Sequence, residues 1–325
     1  MDMKVLEQLI AQGGTTAQKL LAGGMNVNAL RTNATLRKDE WKILDEAIVE
    51  EAQLRLVGVA DLIQAGLVFN LSNGLGKTIL ESETVSDMRD AELSMDGVTQ
   101  GRDDTVNFEL VGLPLPIIHK GYSISIRKLN ASRERGEPLD VTQARLSSRK
   151  VSELVENILF NGHSSYTYGG YVIYGYTDFP SRLSASMTAH WDVATGAQIV
   201  ADVLEAKAKL LAKHMFGPFQ IYIPAAYETA LDADYSSAKG DNTIRDRILA
   251  ITGIKGIKVA DKLTGDKVIV VQQTPDVVRM VVGLPMTNVE WKTEGDMIFN
   301  FKVMTIQVPQ LRVDQAGNCG ICEIA

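Results

Sequence analysis

The sequence predicts an α+β protein, and three observations carry that expectation. An alternating strand pattern leads into one long amphipathic helix between residues 122 and 161. Short apolar strands alternate with helices from 195 to 285. Long strand-like segments then fill 286–325. Apolar residues make up 45% of the 325, enough for a substantial core.

Residues 1–36 read as an arm: Gly13-Gly14 and Gly23-Gly24 punctuate short helical patterns, and the stretch after them is polar. From Asp39, a plausible cap, Trp41, Leu44, Ile48, Leu56, Ala60 and Ile63 recur at helical spacing, closing at Gly66. NLSNGLGKT (70–78) opens a loop region whose tip is the turn-rich SMDGVTQGRDDT (94–105). The flanking pieces KTILES and VNFELV read as strands, so the simplest account is a projecting acidic hairpin.

Tyr122, Ile124 and Ile126 alternate with polar residues, the period of a half-buried strand. ASRERGEP (131–138) reads as a polar turn. Asp140 then caps a helix with Gln143 as capping-box partner, its apolar face formed by Ala144, Val151, Leu154, Val155, Ile158 and Leu159. Asn161-Gly162 ends it. The tyrosine-rich segment to Phe179 reads as strand-and-turn surface.

Thr195 and Gln198 form a capping box for a helix to Met215, with Ile199, Val200, Val203, Leu204, Leu210 and Leu211 inside. FQIYI (219–223) is a buried strand, Pro224 starts a short helix, and DNTIRDRILAI is another. GIKVA, KVIVVQQ and DVVRMVVG are short strands; MTNVEWK, DMIFNFKVMTIQV and NCGICEI are longer ones that return the chain to an earlier sheet. No apolar run reaches the ~18 residues of a membrane helix, and the first residues have no signal-peptide shape.

The formal net charge is −7. Residues 77–112 hold nine acids against three bases, while the segment to Leu36 is slightly basic. Opposite signs on two extended segments suit contacts between neighbouring subunits. No basic face is concentrated enough for a nucleic-acid-binding module.

Sites for catalysis are poorly supported. Gly74-Leu75-Gly76-Lys77-Thr78 lacks the earlier glycine of a phosphate loop, where Leu71 stands instead. Cys319 and Cys322 lie in a strand pattern and read as two small buried residues. His119, His163, His190 and His214 are scattered without ligand spacing. Ser186 and His190 lack a nucleophile elbow and a partner acid, and Asp103-Asp104 is weak evidence for a carboxylate pair. The expectation is no enzyme, no cofactor and no metal.

The stretch from Phe108 to Gly162 with the acidic segment in front of it — acidic loop, strand, one long amphipathic helix ending in Asn-Gly — resembles the HK97-type major capsid protein fold of tailed bacteriophages, most closely its encapsulin-like branch. YGYTDFP is similar to the segment after that family's spine helix. The resemblance spans about residue 36 to 325. It implies an N-terminal arm (1–36), a helix region of the P-domain (37–76), an E-loop (77–112), the P-domain with spine helix 140–161 (113–194), an A-domain (195–285) and return strands of the P-domain (286–325).

It further implies that the E-loop contacts a neighbouring subunit through Lys77, Glu81, Glu83, Asp87, Arg89, Asp90, Asp96, Arg102, Asp103 and Asp104. The arm would reach another neighbour through Lys19, Arg31, Arg37 and Lys38. The implied function is a capsid subunit that self-assembles into pentamers and hexamers of an icosahedral shell around phage DNA, without sequence-specific binding. Separate scaffolding, portal or decoration proteins are the implied partners, with no membrane. The location is the virion, and the host cytoplasm during assembly. Two alternatives stay open: an encapsulin shell around a cargo enzyme, and a soluble α/β enzyme with an acidic lid.

Overall fold

A computed structural model describes residues 43, 44, 46, 57–85, 95, 108–135, 141–235, 242–263, 265–292, 298–314 and 316–325. The arm, the caps expected at Asp39 and Asp140, the positions Trp41, Ile48 and Leu56, and all of the hairpin tip but Met95 lie outside the described residues. Two compact units divide the chain.

The first unit takes the described residues of Met1–Thr78 with Leu115–Leu159 and Met280–Pro309. Its helix α1 (Val57–Gln64) is followed by the short strand β1 (Val68–Asn70). α1 buries Gly58, Val59, Asp61 and Leu62, whereas Ile63, expected inside, is exposed. The buried arc is centred on Val59 and Leu62, which leaves Ile63 at its rim.

Strands β2 (Ile79–Val85) and β3 (Phe108–Pro114) belong to the second unit. The chain then re-enters the first through β4 (Ile118–Ser125). Where the sequence suggests a polar turn after this strand, a helix forms instead: α2 (Ile126–Arg135). Arginine, lysine and glutamate are good helix formers. The Ser125 hydroxyl accepts the Arg127 N–H at 3.2 Å, and Leu129 is buried, anchoring an otherwise polar turn of helix.

The long helix α3 (Thr142–Asn161) follows and ends where Asn161-Gly162 predicts. Ala144, Val151, Val155, Ile158 and Leu159 are buried, but Leu154 is exposed. The arc it was expected to share also carries Ser148, Ser152 and Glu156, all buried. Apolar periodicity alone does not register polar residues that find partners inside: Ser152 Oγ donates to the Ser148 carbonyl at 2.9 Å.

The first unit's sheet has the order β1, β11, β12, β4, where β11 is Val278–Lys292 and β12 is Ile298–Leu311. β1 runs parallel to β11, Val68 opposite Met280, and β4 runs antiparallel to β12, Ile298 opposite Ser125. β11 is one strand through Pro285, where two separate strands are expected; beside that proline, Thr305 Oγ1 donates to the Leu284 carbonyl at 2.9 Å. Along β12, Phe299, Phe301 and Val303 are buried at alternate positions, and Phe301 stacks on Tyr122 at 5.1 Å.

The Gly74–Gly76 turn packs on this unit. A side chain at Gly74 would lie 2.2 Å from the Gly283 carbonyl oxygen, so the glycines answer a close approach of two backbones. A strand follows, not the helix that a phosphate loop needs.

The second unit takes Ile79–Pro114, Phe160–Arg279 and Gln310–Ala325. Between its first segment and its main sheet lie the hairpin strands β5 (His163–Tyr168) and β6 (Tyr171–Ile173), joined at Gly169-Gly170. The tyrosines here are mostly surface residues, as expected, except Tyr176, which is fully buried. The main sheet has the order β7 (Leu183–Ala185), β13 (Ile321–Ile324), β10 (Val268–Gln272), β8 (Phe219–Ile223), β9 (Ile254–Val259). Thus NCGICEI does not rejoin the β4 sheet as expected. β13 is buried at every position and lies between β10 and β7, the setting of a central strand.

Helix α4 (Gly196–Ala212) packs on β13 and β7. Its predicted capping box is present: Gln198 Oε1 accepts the Thr195 N–H at 2.8 Å. It ends at Ala212 rather than Met215, because His214 turns left-handed at φ 59°. Leu204 and Leu211 are exposed, while Asp202 and Ala206 complete the buried face. Asp202 holds the loop before the helix, accepting the Thr188 N–H at 3.2 Å and the Trp191 indole N–H at 3.1 Å. The short helices α5 (Glu228–Leu231) and α6 (Ile244–Leu249) complete the unit; Thr243 Oγ1 caps α6 by accepting the Asp246 N–H at 3.2 Å.

Candidate intersubunit site

The two strands β2 and β3 form a sheet of their own, in register from Ile79 opposite Pro114 to Val85 opposite Phe108. A two-stranded ribbon has no layer behind it unless something else covers it. The base is covered. Tyr171 of β6 lies against Gly112, where a Cβ would be 2.3 Å from the ring, and Leu113 and Pro114 are buried. On the same base, Ser82 Oγ donates to the Val111 carbonyl at 3.3 Å and accepts from Gln310 Nε2 at 3.3 Å. Gln310 Oε1 in turn accepts from Arg279 Nε at 2.6 Å.

Beyond the base, β3 is bare. Phe108 is 67% exposed and Leu110 is 49% exposed. The register puts Leu110 opposite Glu83 and Gly112 opposite Glu81. Residues directly opposite share a face, so Phe108, Leu110, Glu81 and Glu83 lie on one side; Glu109 and Val111 lie on the other. Glu81, Glu83 and Glu109 are exposed and have no ion-pair partner among the described residues. An apolar pair beside two carboxylates that have no ion-pair partner among the described residues is a surface suited to another protein.

Of the residues expected at the subunit interface, Lys77, Glu81 and Glu83 are described, and all three are exposed. The ribbon brings Glu81 and Glu83 together on one face. Asp87, Arg89, Asp90, Asp96, Arg102, Asp103, Asp104 and the arm residues Lys19, Arg31, Arg37 and Lys38 lie outside the described residues. Phe108 and Leu110 were missed by sequence reasoning. The available signal was that one alternating face of VNFELV is wholly apolar (Val106, Phe108, Leu110) in a hairpin whose sequence shows no second layer to cover it.

The candidate reactive groups have structural surroundings. Cys319 and Cys322 are buried, and burial pushes both thiols up to about 12, far from a thiolate nucleophile. His190 Nδ1 lies 3.2 Å from Asp266 Oδ2 at the surface. Among the described residues there is no group of three or more metal-ligating side chains, and no helix is long and apolar enough to cross a membrane. Glu323 is held by Arg182 Nε at 2.5 Å and Lys267 Nζ at 2.6 Å, and these cations outweigh its burial and lower its pKa.

The carboxylate of Glu156, on α3, is buried and accepts the N–H groups of Gly58 and Val59 at 2.7 and 3.3 Å, at the start of α1. Burial pushes its pKa up to about 7, against the pull of those amide donors and with a smaller push from Asp61.

Comparison with known proteins gives concordant results. A family model described as "Family of unknown function (DUF6260)" matches residues 28–323. The type 1 encapsulin shell protein EncA of Myxococcus xanthus (strain DK1622) is 21% identical over 260 residues, covering 77% of this chain and 82% of that protein. The crystal structure of a virus-like particle from Pyrococcus furiosus superposes with a TM-score of 0.63 at 17% identity, over 88% of this chain and 99% of the other. The capsid of Myoviridae phage XM1 gives 0.62 at 12% identity, over 81% and 90%. The fold is the HK97 type that the sequence resemblance implies.

Proposed function

The chain belongs to the family of unknown function DUF6260, and from that membership and its HK97-type fold we propose that it is a structural subunit that assembles with copies of itself into a closed shell. The observation that carries the reading is the ribbon: a separate two-stranded sheet with Phe108 and Leu110 uncovered beside the carboxylates of Glu81 and Glu83. Such a feature is completed by a second subunit. Repeated by symmetry, modest contacts of this kind add up to a stable particle.

The finer reading is a phage capsid protein that forms pentamers and hexamers around packaged DNA. Residues 77–112 would act as the E-loop over one neighbour and residues 1–36 as an arm over another. The long glycine-punctuated arm, the large acidic loop and the tyrosine-rich insertion support it. A wall that is not strongly basic fits dense DNA, which packs more easily where its phosphates are not gripped. The second reading, a shell around a cargo enzyme, is favoured by the sequence likeness to EncA.

Size-exclusion chromatography and negative-stain imaging of the full chain expressed alone test both. Closed shells or capsomer-like rings support a shell subunit; shells with a co-purified enzyme inside favour the cargo version. A clean monomer or dimer overturns the proposal and returns the α/β enzyme to first place.

A further inference from the structure

The ribbon has a complement in the same sequence. Helix α2 begins Ile126-Arg127-Lys128, and both cations are exposed, with no carboxylate partner among the described residues. The buried Leu129 fixes the helix so that they face outward. One residue before α2, Ser125 pairs with Ile298 of β12, and Ile298 is 51% exposed. Ile298 therefore lies opposite the residue whose hydroxyl caps the start of α2, and the first two cations of that helix have no carboxylate partner among the described residues. One face of the ribbon carries the mirror set: apolar side chains adjoining two unpaired carboxylates.

We propose that the Phe108–Leu110 face of the ribbon in one copy docks on the start of α2 in another, Glu81 and Glu83 against Arg127 and Lys128, with Phe108 and Leu110 on Ile298. This rests on the shell-subunit reading and names the receiving surface for it. The pairing removes exposed apolar area on both partners and matches charge of opposite sign. A phosphate backbone would satisfy the cations but would leave Ile298 and the ribbon's apolar face uncovered, so a second copy is the favoured occupant. β4 is an edge strand of its sheet, so nothing in that sheet lies beyond it.

The test is a charge swap in the full chain, read by sedimentation at fixed protein concentration. E81K/E83K alone and R127E/K128E alone are each expected to lower the assembled fraction about tenfold or more, since like charges then face each other. The four changes together are expected to restore it, while E109K on the opposite ribbon face has little effect. Reversals that leave assembly unchanged, or a joint variant that stays dissociated, overturn the proposal. So does an R127E/K128E chain that keeps its particles and loses only co-purified nucleic acid. If a reversed chain loses its circular-dichroism spectrum, the neutral sets E81Q/E83Q and R127Q/K128Q replace it. Each should then flatten the salt dependence of assembly, and combining them should add nothing; independent effects overturn the pairing. Wild-type chain that never assembles fails the shell reading itself, and this inference with it; wild-type particles indifferent to the swap fail the inference alone.

Discussion

Gly112 and Tyr171 are in van der Waals register: the ring of Tyr171 occupies the space that any side chain at position 112 would need, 2.3 Å from an ideal Cβ. The contact joins the ribbon to the tyrosine-rich hairpin. Gly112→Ala should force the ring or the strand aside and cost about 1–3 kcal/mol, the usual penalty of overpacking. Gly112→Ala/Tyr171→Ala should recover part of it. Chemical denaturation of the three chains checks this; a single variant as stable as the wild type would show that the ring moves away freely.

Glu156 predicts a pH dependence. Its folded-state pKa lies near 7, above the ordinary carboxyl value, because burial disfavours the charged form. The folded protein therefore holds this proton more tightly than the unfolded chain. Its effect on stability is absent below the unfolded pKa, grows unfavourable as pH rises, and is complete above about pH 7, at about 3 kcal/mol. Glu156→Gln should remove this loss. Unfolding free energies at pH 5 and pH 8 should draw apart in the wild type by about 2.5 kcal/mol more than in the variant, part of the loss having already occurred by pH 5; equal differences would refute the assignment.

Phe108→Ser/Leu110→Ser removes the ribbon's bare apolar pair without touching its base. The expected result is fewer particles with the subunit's unfolding transition within about 0.5 kcal/mol of wild type, as for other exposed positions. Analytical ultracentrifugation beside a denaturation curve separates the two effects, and unimpaired assembly would remove the ribbon from the interface.

Lys77 is the only lysine in residues 77–112 and sits at the foot of the loop region. A covalent link from the loop to a neighbour is not expected. Lys77→Arg should leave particle stability unchanged, as read on a denaturing gel after boiling; a ladder in the wild type that vanishes in the variant would show otherwise.

Much of the fold is legible because its signals are local. The capping box of Thr195 and Gln198, the stop at Asn161-Gly162 and the uniformly apolar FQIYI each lie within a few residues. The misreading of residues 131–135 has a physical origin: the buried Leu129, in the preceding turn, anchors a helix whose later residues look like a turn. Leu204 and Leu211 fit the helical period, yet Asp202 takes the buried place because Trp191 and Thr188 supply its hydrogen bonds. At the candidate site the acids were visible as composition. The exposure of Phe108 and the space filled by Tyr171 over Gly112 were not, since both depend on which strands pair and what covers them.

The backbone contact between Gly74 and Gly283 has a consequence for how such chains diverge. In a saturation library, position 74 should accept glycine alone, because an added methyl there meets a carbonyl oxygen at 2.2 Å, while position 283, where a methyl would meet Ile306 and Gly74 at 3.1 and 3.2 Å, should favour glycine less sharply. The surviving variants would then carry a glycine signature easily mistaken for a nucleotide fingerprint, one written by two main chains that have to touch.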